Sequence, residues 1–345
     1  MKRTGISDLP LHGGKCPPWL FQRMKKLAGL ITEVIVYEYG TDEFLRRISN
    51  PYFFQSFGCV LGFDWHSSGL TTTTLGALKE SLDPEKHGVV VLGGKGSTSR
   101  KTPEEIERVS ETFPLSESKI EYLQYASRMV AKVDSAGVQD GYQLYHHSFI
   151  LSENGDFAVI QQGMNYETKY ARRYHWLSEE IGSFVNEPHL AICCDHRGKT
   201  LNMVAKESEE SRRASVDLVK DGLEEVKKYL IMGRCHWIDK RIYSKLLDLR
   251  EFQPRNYEEI LAFRGVGPKT IRALALTSKL IYGAEPSWKD PAKFSFARGG
   301  KDGTPYPIDR KAYDEGNEIL REAIENAKLG KKEKLQAIRR LENFI

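Results

Sequence analysis

The stretch Phe263-Arg264-Gly265-Val266-Gly267-Pro268-Lys269-Thr270-Ile271 joins two glycines one residue apart to a proline and a cation. Glycines so placed allow a tight left-handed turn that a Cβ would obstruct. Pro268 stands where a helix would begin, since its missing N–H costs nothing there. Ile271, Leu274, Ala275, Ser278 and Ile281 then recur at helical spacing. Such a corner turns free backbone N–H groups and the positive end of a helix dipole toward one point, where a phosphate oxygen can sit. Gly265, Val266, Gly267, Lys269 and Thr270 are thus predicted to grip a phosphate backbone. The competing reading is a glycine-closed αα-corner that packs against its own domain.

Other residues could do different chemistry. Asp64 and His66 lie in the loop Gly62-Phe63-Asp64-Trp65-His66-Ser67-Ser68-Gly69, and with Asp195 and His146 or His147 they have the donors of a metal-dependent nuclease. Alternation along a strand sends His146 and His147 to opposite faces, so both cannot serve one ion. Structural histidines are the plainer expectation, and neither a metal nor another cofactor is predicted. Gln161-Gln162-Gly163-Met164-Asn165 could hydrogen-bond a base edge or fix a turn. The strand Gly88-Val89-Val90-Val91-Leu92 runs into a glycine-rich turn, Gly93 to Thr102, but Arg100 stands before Lys101 where a P-loop needs glycine.

The glycine corner resembles the GVGxKT-type helix-hairpin-helix of DNA-repair and recombination proteins, which holds the sugar–phosphate backbone without reading sequence. From Tyr257 to Tyr313 it is similar to the DNA glycosylase branch. Lys269 falls on that family's lysine position, and Pro307-Ile308-Asp309-Arg310-Lys311 resembles the segment carrying its aspartate, although Arg310-Lys311 replaces the family's Thr-His. The resemblance implies a DNA-repair glycosylase with AP-lyase activity. Lys269 would attack the anomeric carbon and form an imine, and Asp309 would stabilise the positive charge that develops there. A helix N-cap is the plain role for Asp309 and a phosphate contact that for Lys269. Arg298, Lys301, Arg310 and Lys311 would track the DNA backbone, among aromatics able to stack on an extruded base. The alternatives are a non-catalytic DNA-binding module and the metal-dependent nuclease. As a whole, the chain resembles a family of archaeal and bacterial proteins known only as a domain of unknown function, through Phe63 to Gly69, Gln161 to Asn165 and the corner itself.

These residues need elements to position them. The 345 residues, 40% hydrophobic and 28% charged, suit two domains with proper cores. The expectation is an α/β domain with a mixed sheet over 1–210 and an all-α helix-hairpin-helix domain over 211–345. Residues 211–345 carry 28 Lys+Arg against 20 Asp+Glu, while residues 1–210 carry 23 against 27, so the basic excess lies with the corner. Five cysteines, Cys16, Cys59, Cys193, Cys194 and Cys235, lack metal-ligand spacing and read as reduced thiols. No run approaches the ~20 apolar residues of a membrane span, and no signal pattern opens the chain, so a cytoplasmic protein with DNA as partner is expected.

Periodicity predicts helices over Trp19–Leu30, Asp42–Leu61, Leu70–Ser81, Ile120–Ala136, Val216–Met232, Lys240–Leu249, Glu258–Phe263, Lys269–Tyr282, Lys311–Ala327 and Lys331–Phe344. Strands are predicted over Ile31–Tyr39, Pro188–Cys194 and Thr200–Ala205. Tyr142–Leu151 and Asp156–Gln162 should form a hairpin around Asn154-Gly155, the strongest short turn signal.

Overall fold

A computed structural model describes residues 9, 15–63, 67–194, 196–233, 236–294 and 310–344. Five helices come first: α1 Pro18–Tyr39, α2 Thr41–Ser49, α3 Pro51–Val60, α4 Gly69–Ser81 and α5 Pro84–His87. The predicted strand Ile31–Tyr39 is instead the second half of α1. Met24, Leu27, Ala28, Ile31 and Ile35 are buried at spacings of three and four, and this helical stripe overrides the β-branched composition. The helix predicted over Asp42–Leu61 breaks at Asn50-Pro51. The Asn50 side chain accepts hydrogen bonds from the amides of Tyr52 and Phe53, and Pro51 occupies the first turn of α3, so a new helix starts there.

The centre of the molecule is a sheet. Strands β1 Val89–Lys95, β2 Val138–Gln139, β3 Gln143–Ser152, β4 Phe157–Met164, β5 Ala171–Leu177, β6 Ala191–Cys193 and β7 Leu201–Asn202 follow in the chain, with α6 Thr102–Val109 and α7 Glu117–Lys132 between β1 and β2. Five of them pair in the order β1-β3-β4-β5-β6, and β2 pairs with β7. Every one of these pairings is antiparallel, which corrects the expected mixed sheet. The hairpin β3–β4 forms around Asn154-Gly155, with Leu151 opposite Phe157 and His147 opposite Gln161. Strand β5 was not predicted. Its sequence Ala-Arg-Arg-Tyr-His-Trp-Leu reads as a surface, yet all seven residues are buried.

Helices α8 Glu209–Lys220, α9 Leu223–Ile231, α10 Lys240–Phe252, α11 Tyr257–Ala262, α12 Pro268–Tyr282, α13 Arg310–Asn326 and α14 Lys331–Phe344 complete the chain. The helix predicted over Val216–Met232 divides at Gly222, where a Cβ would come within 2.6 Å of the Tyr282 hydroxyl.

Helical layers cover both faces of the sheet. Val89, Val91, Ile150, Ala158, Ile160 and Leu177 pack against α1 to α4, α13 and α14. Phe149, Leu151, Val159, Tyr174 and Trp176 pack against α7, α8 and α10 to α12. Each core therefore draws residues from both sides of position 210. Cys16, Cys59, Cys193 and Cys194 are free thiols. Among the described residues no helix is long and apolar enough to cross a membrane.

Candidate functional site: a cavity walled by the glycine corner

The corner forms as its residue types dictate. Asn256 caps α11 by accepting from the Glu259 amide, and Pro268 opens α12 behind Gly267. Gly265 has φ +87°, the left-handed conformation that a side chain would strain, and the Val266 amide closes the turn onto the Phe263 carbonyl at 3.1 Å. Val266 is buried in the core beneath, while Arg264, Gly265, Pro268 and Lys269 are exposed. The amides of Lys269 and Thr270 belong to the first turn of α12, where intrahelical carbonyl partners do not exist. The corner is thus open to a polyanion.

It is also clamped to the sheet layer. Lys132, near the end of α7, donates its ammonium hydrogens to the carbonyls of Val266 and Phe263. Burial pulls the Lys132 amine down from its ordinary value. Tyr125 on α7 donates to the Glu258 carboxylate on α11 at 2.7 Å.

Between α7, β3, the turn before α6 and the corner lies a cavity of about 720 Å³. Ser99 and Arg100 line it from the turn, Ser127, Arg128 and Lys132 from α7, and Ala262, Arg264 and Gly265 from the corner. Its floor is the sheet face carrying His147 and Gln161. Arg100, Arg128 and Arg264 are exposed, and no ion pair holds them among the described residues.

The floor carries a directional chain of hydrogen bonds. Gln161 Nε2 donates to the Asp134 carboxylate and to the Val130 carbonyl at 3.3 Å, which fixes the orientation of the amide. Gln161 Oε1 therefore faces His147 Nδ1 at 2.7 Å and must accept from it. With its proton on Nδ1, His147 presents the lone pair of Nε2 to Ser127 Oγ at 3.0 Å, so the serine hydroxyl donates. Burial pushes the His147 imidazole below its ordinary value, which keeps the ring neutral. Asp134 also accepts from Trp176 Nε1 at 3.0 Å and from His189.

Sequence reasoning named His147 and Gln161 as candidates but missed Ser127 and Asp134. The hairpin register could have paired His147 with Gln161. No sequence signal brings in a serine from the middle of α7.

His146 points to the other face, as alternation requires, and bonds Ser148 Oγ at 2.9 Å. There Gln162 contacts Thr71 Oγ1 at 2.5 Å and the Ser68 carbonyl at 2.8 Å, and Arg173 contacts Thr71 and Gln55 at 2.9 Å each. Among the described residues no group of three His, Cys, Asp or Glu could hold a metal. Asp64, His66, Asp195, Arg298, Lys301 and Asp309 lie outside the described residues, as do the side chains of Arg310 and Lys311 in α13. Thr270, in the first turn of α12 beside Lys269, is 6% exposed.

No curated protein and no solved structure matches the chain, and nothing in these comparisons supports the likeness to DNA glycosylases. A family model described as a protein of unknown function, DUF763, matches residues 5–308, and the chain belongs to that family.

Proposed function

We propose that this chain binds DNA along its sugar–phosphate backbone at the glycine corner, and that the strand then lies across the mouth of the cavity. The observation that carries the reading is the exposed corner, with Gly265 left-handed and Arg264 and Lys269 facing solvent on either side of it. Exposed Arg272 on α12 and Arg128 on α7 extend the same basic edge. Backbone donors and cations hold phosphates without distinguishing bases, so binding would be indifferent to sequence. The log of affinity should fall linearly with log salt, and Lys269→Gln or Arg264→Ala should each lower the slope by about 1. A chain that fails to bind a duplex at low salt refutes this reading.

The finer assignment is a DNA-repair glycosylase with lyase activity, in which Lys269 is the amine and Asp309 the carboxylate. Lys269 suits it by position, at the start of α12 beside the corner. It does not suit it by environment, because Lys269 is exposed and not enclosed in an apolar pocket. Borohydride trapping on lesion-bearing DNA decides the point: an adduct lost in Lys269→Gln upholds the lysine chemistry, and its absence leaves the corner as a backbone clamp.

A further inference from the structure

Serines inside helices usually return their hydroxyl hydrogen to the carbonyl four residues back. Ser215 in α8 does so, donating to the Ser211 carbonyl at 2.7 Å. Ser127 in α7 instead meets His147 Nε2, at the end of the chain that runs through Gln161 to Asp134. Every hydrogen in that chain is oriented the same way, so negative charge at Asp134 favours proton withdrawal from Ser127. A nucleophile, a neutral base and a group that fixes the base's tautomer are the parts of a serine-type site. They line one cavity with three exposed arginines, beside apolar walls from Met129, Leu144 and Ala262.

We propose that Ser127 is a nucleophile for phosphodiesters, with His147 as its base and Gln161 and Asp134 as positioning residues. The arginines fix the substrate class: guanidinium groups match phosphate oxygens, and a carboxyl ester would leave them unused. The apolar walls suit an aromatic or nucleoside group attached to the phosphate.

Ser127 Oγ attacks phosphorus while its proton passes to His147 Nε2. The bond from phosphorus to the leaving alcohol oxygen breaks, and that oxygen departs with the proton from His147. In the second half, a water oxygen bonds phosphorus as its proton passes to His147. Ser127 Oγ then leaves phosphorus and recovers that proton, so a phosphomonoester and an alcohol are produced from diester and water. No electrons are transferred, and water is the co-reactant. Arg100, Arg128 and Arg264 would neutralise the charge on the non-bridging oxygens.

This inference goes beyond DNA binding and does not depend on it, because a small diester reaches the cavity without engaging the corner. The test uses the full chain in EDTA with bis(p-nitrophenyl) phosphate. Nitrophenolate release is expected, falling at least ~100-fold in Ser127→Ala and in His147→Gln. Thermal melts of both variants confirm that they fold, and a fluorophosphonate probe supplies a second reading on wild-type protein. An adduct mapped by peptide mass to Ser127 supports the proposal. Equal hydrolysis by Ser127→Ala, or no release and no adduct, would overturn it. Hydrolysis abolished by EDTA would move the chemistry to a metal, and turnover of p-nitrophenyl acetate in place of the diester would overturn the substrate class.

Discussion

His146 and His147 are neighbours in sequence and identical in chemistry, yet the two faces of the sheet put them to different uses. On the face under α2 to α4, Gln162, Arg173 and Thr71 are fully buried and bond one another. On the face under α7, the homologous pair of side chains, His147 and Gln161, floors a cavity and reaches a serine. Both sets are buried polar networks. The difference is access: a network becomes a site only where a ligand can reach one end of it. Charge sharpens the contrast, since free guanidinium groups line the cavity, whereas Arg173 is packed over the Phe54 ring at 4.7 Å.

The largest expected effect comes where the cavity face itself closes. Arg172 is 1% exposed and bonds Asp140 and Asp290 at 2.9 Å each, tying β5 to the segment before β3 and to the segment after α12. Arg172→Met leaves both carboxylates buried without their cation and should cost about 3–5 kcal/mol in urea unfolding. A cost below ~1 kcal/mol would show that this end is open to water, as surface pairs are.

Acid should strain both faces together. Burial holds His146 down at about 3 and pushes His147 and His175 below the ordinary imidazole value, whereas the unfolded chain protonates near about 6.5. The unfolded state then binds more protons in this window, so stability is full above pH ~6.5 and falls as pH drops toward 3, by up to about 1.4 kcal/mol per pH unit for each ring. Denaturant midpoints measured across that range check the slope. His146→Gln should flatten it, and a slope confined to pH below ~4 would assign acid sensitivity to carboxylates.

The two adjacent glutamines separate structure from chemistry. Gln162→Leu and Gln161→Leu each strand buried partners and should cost about 1–3 kcal/mol. Diester hydrolysis should survive the first and be lost in the second. If both variants behave alike, the faces are equivalent and the contrast fails.

The smallest effect belongs to the corner. A Cβ on Gly265 meets φ +87° and Lys245 Cε at 3.0 Å, so Gly265→Ala should cost about 1–2 kcal/mol and weaken DNA binding. An unchanged melting temperature would mean that the turn relaxes without the left-handed residue.

Local signals carried much of this fold. Asn154-Gly155 fixed the β3–β4 register, Pro268 the start of α12, and helical spacing all of α14. Where partners are distant, the sequence was mute. Arg172 and Arg173 are buried because Asp140, Asp290, Gln55 and Thr71 meet them from far along the chain, so β5 reads as a charged surface. Ser127 is one of many helical serines until tertiary packing sets it beside His147. The segment 284–294, too rich in Pro and polar residues to look regular, lies along the sheet: Asn202 donates to the Ser287 carbonyl at 2.9 Å and Cys194 to that of Phe294 at 2.9 Å.

DNA is proposed to meet this molecule at the corner and the cavity mouth. Amide hydrogen exchange of the full chain with and without a short duplex tests it most directly. Slowed exchange is expected in 262–272, with weaker protection in 99–103 and 125–132. Protection confined to other segments, or no protection under conditions where the duplex is bound, would contradict it.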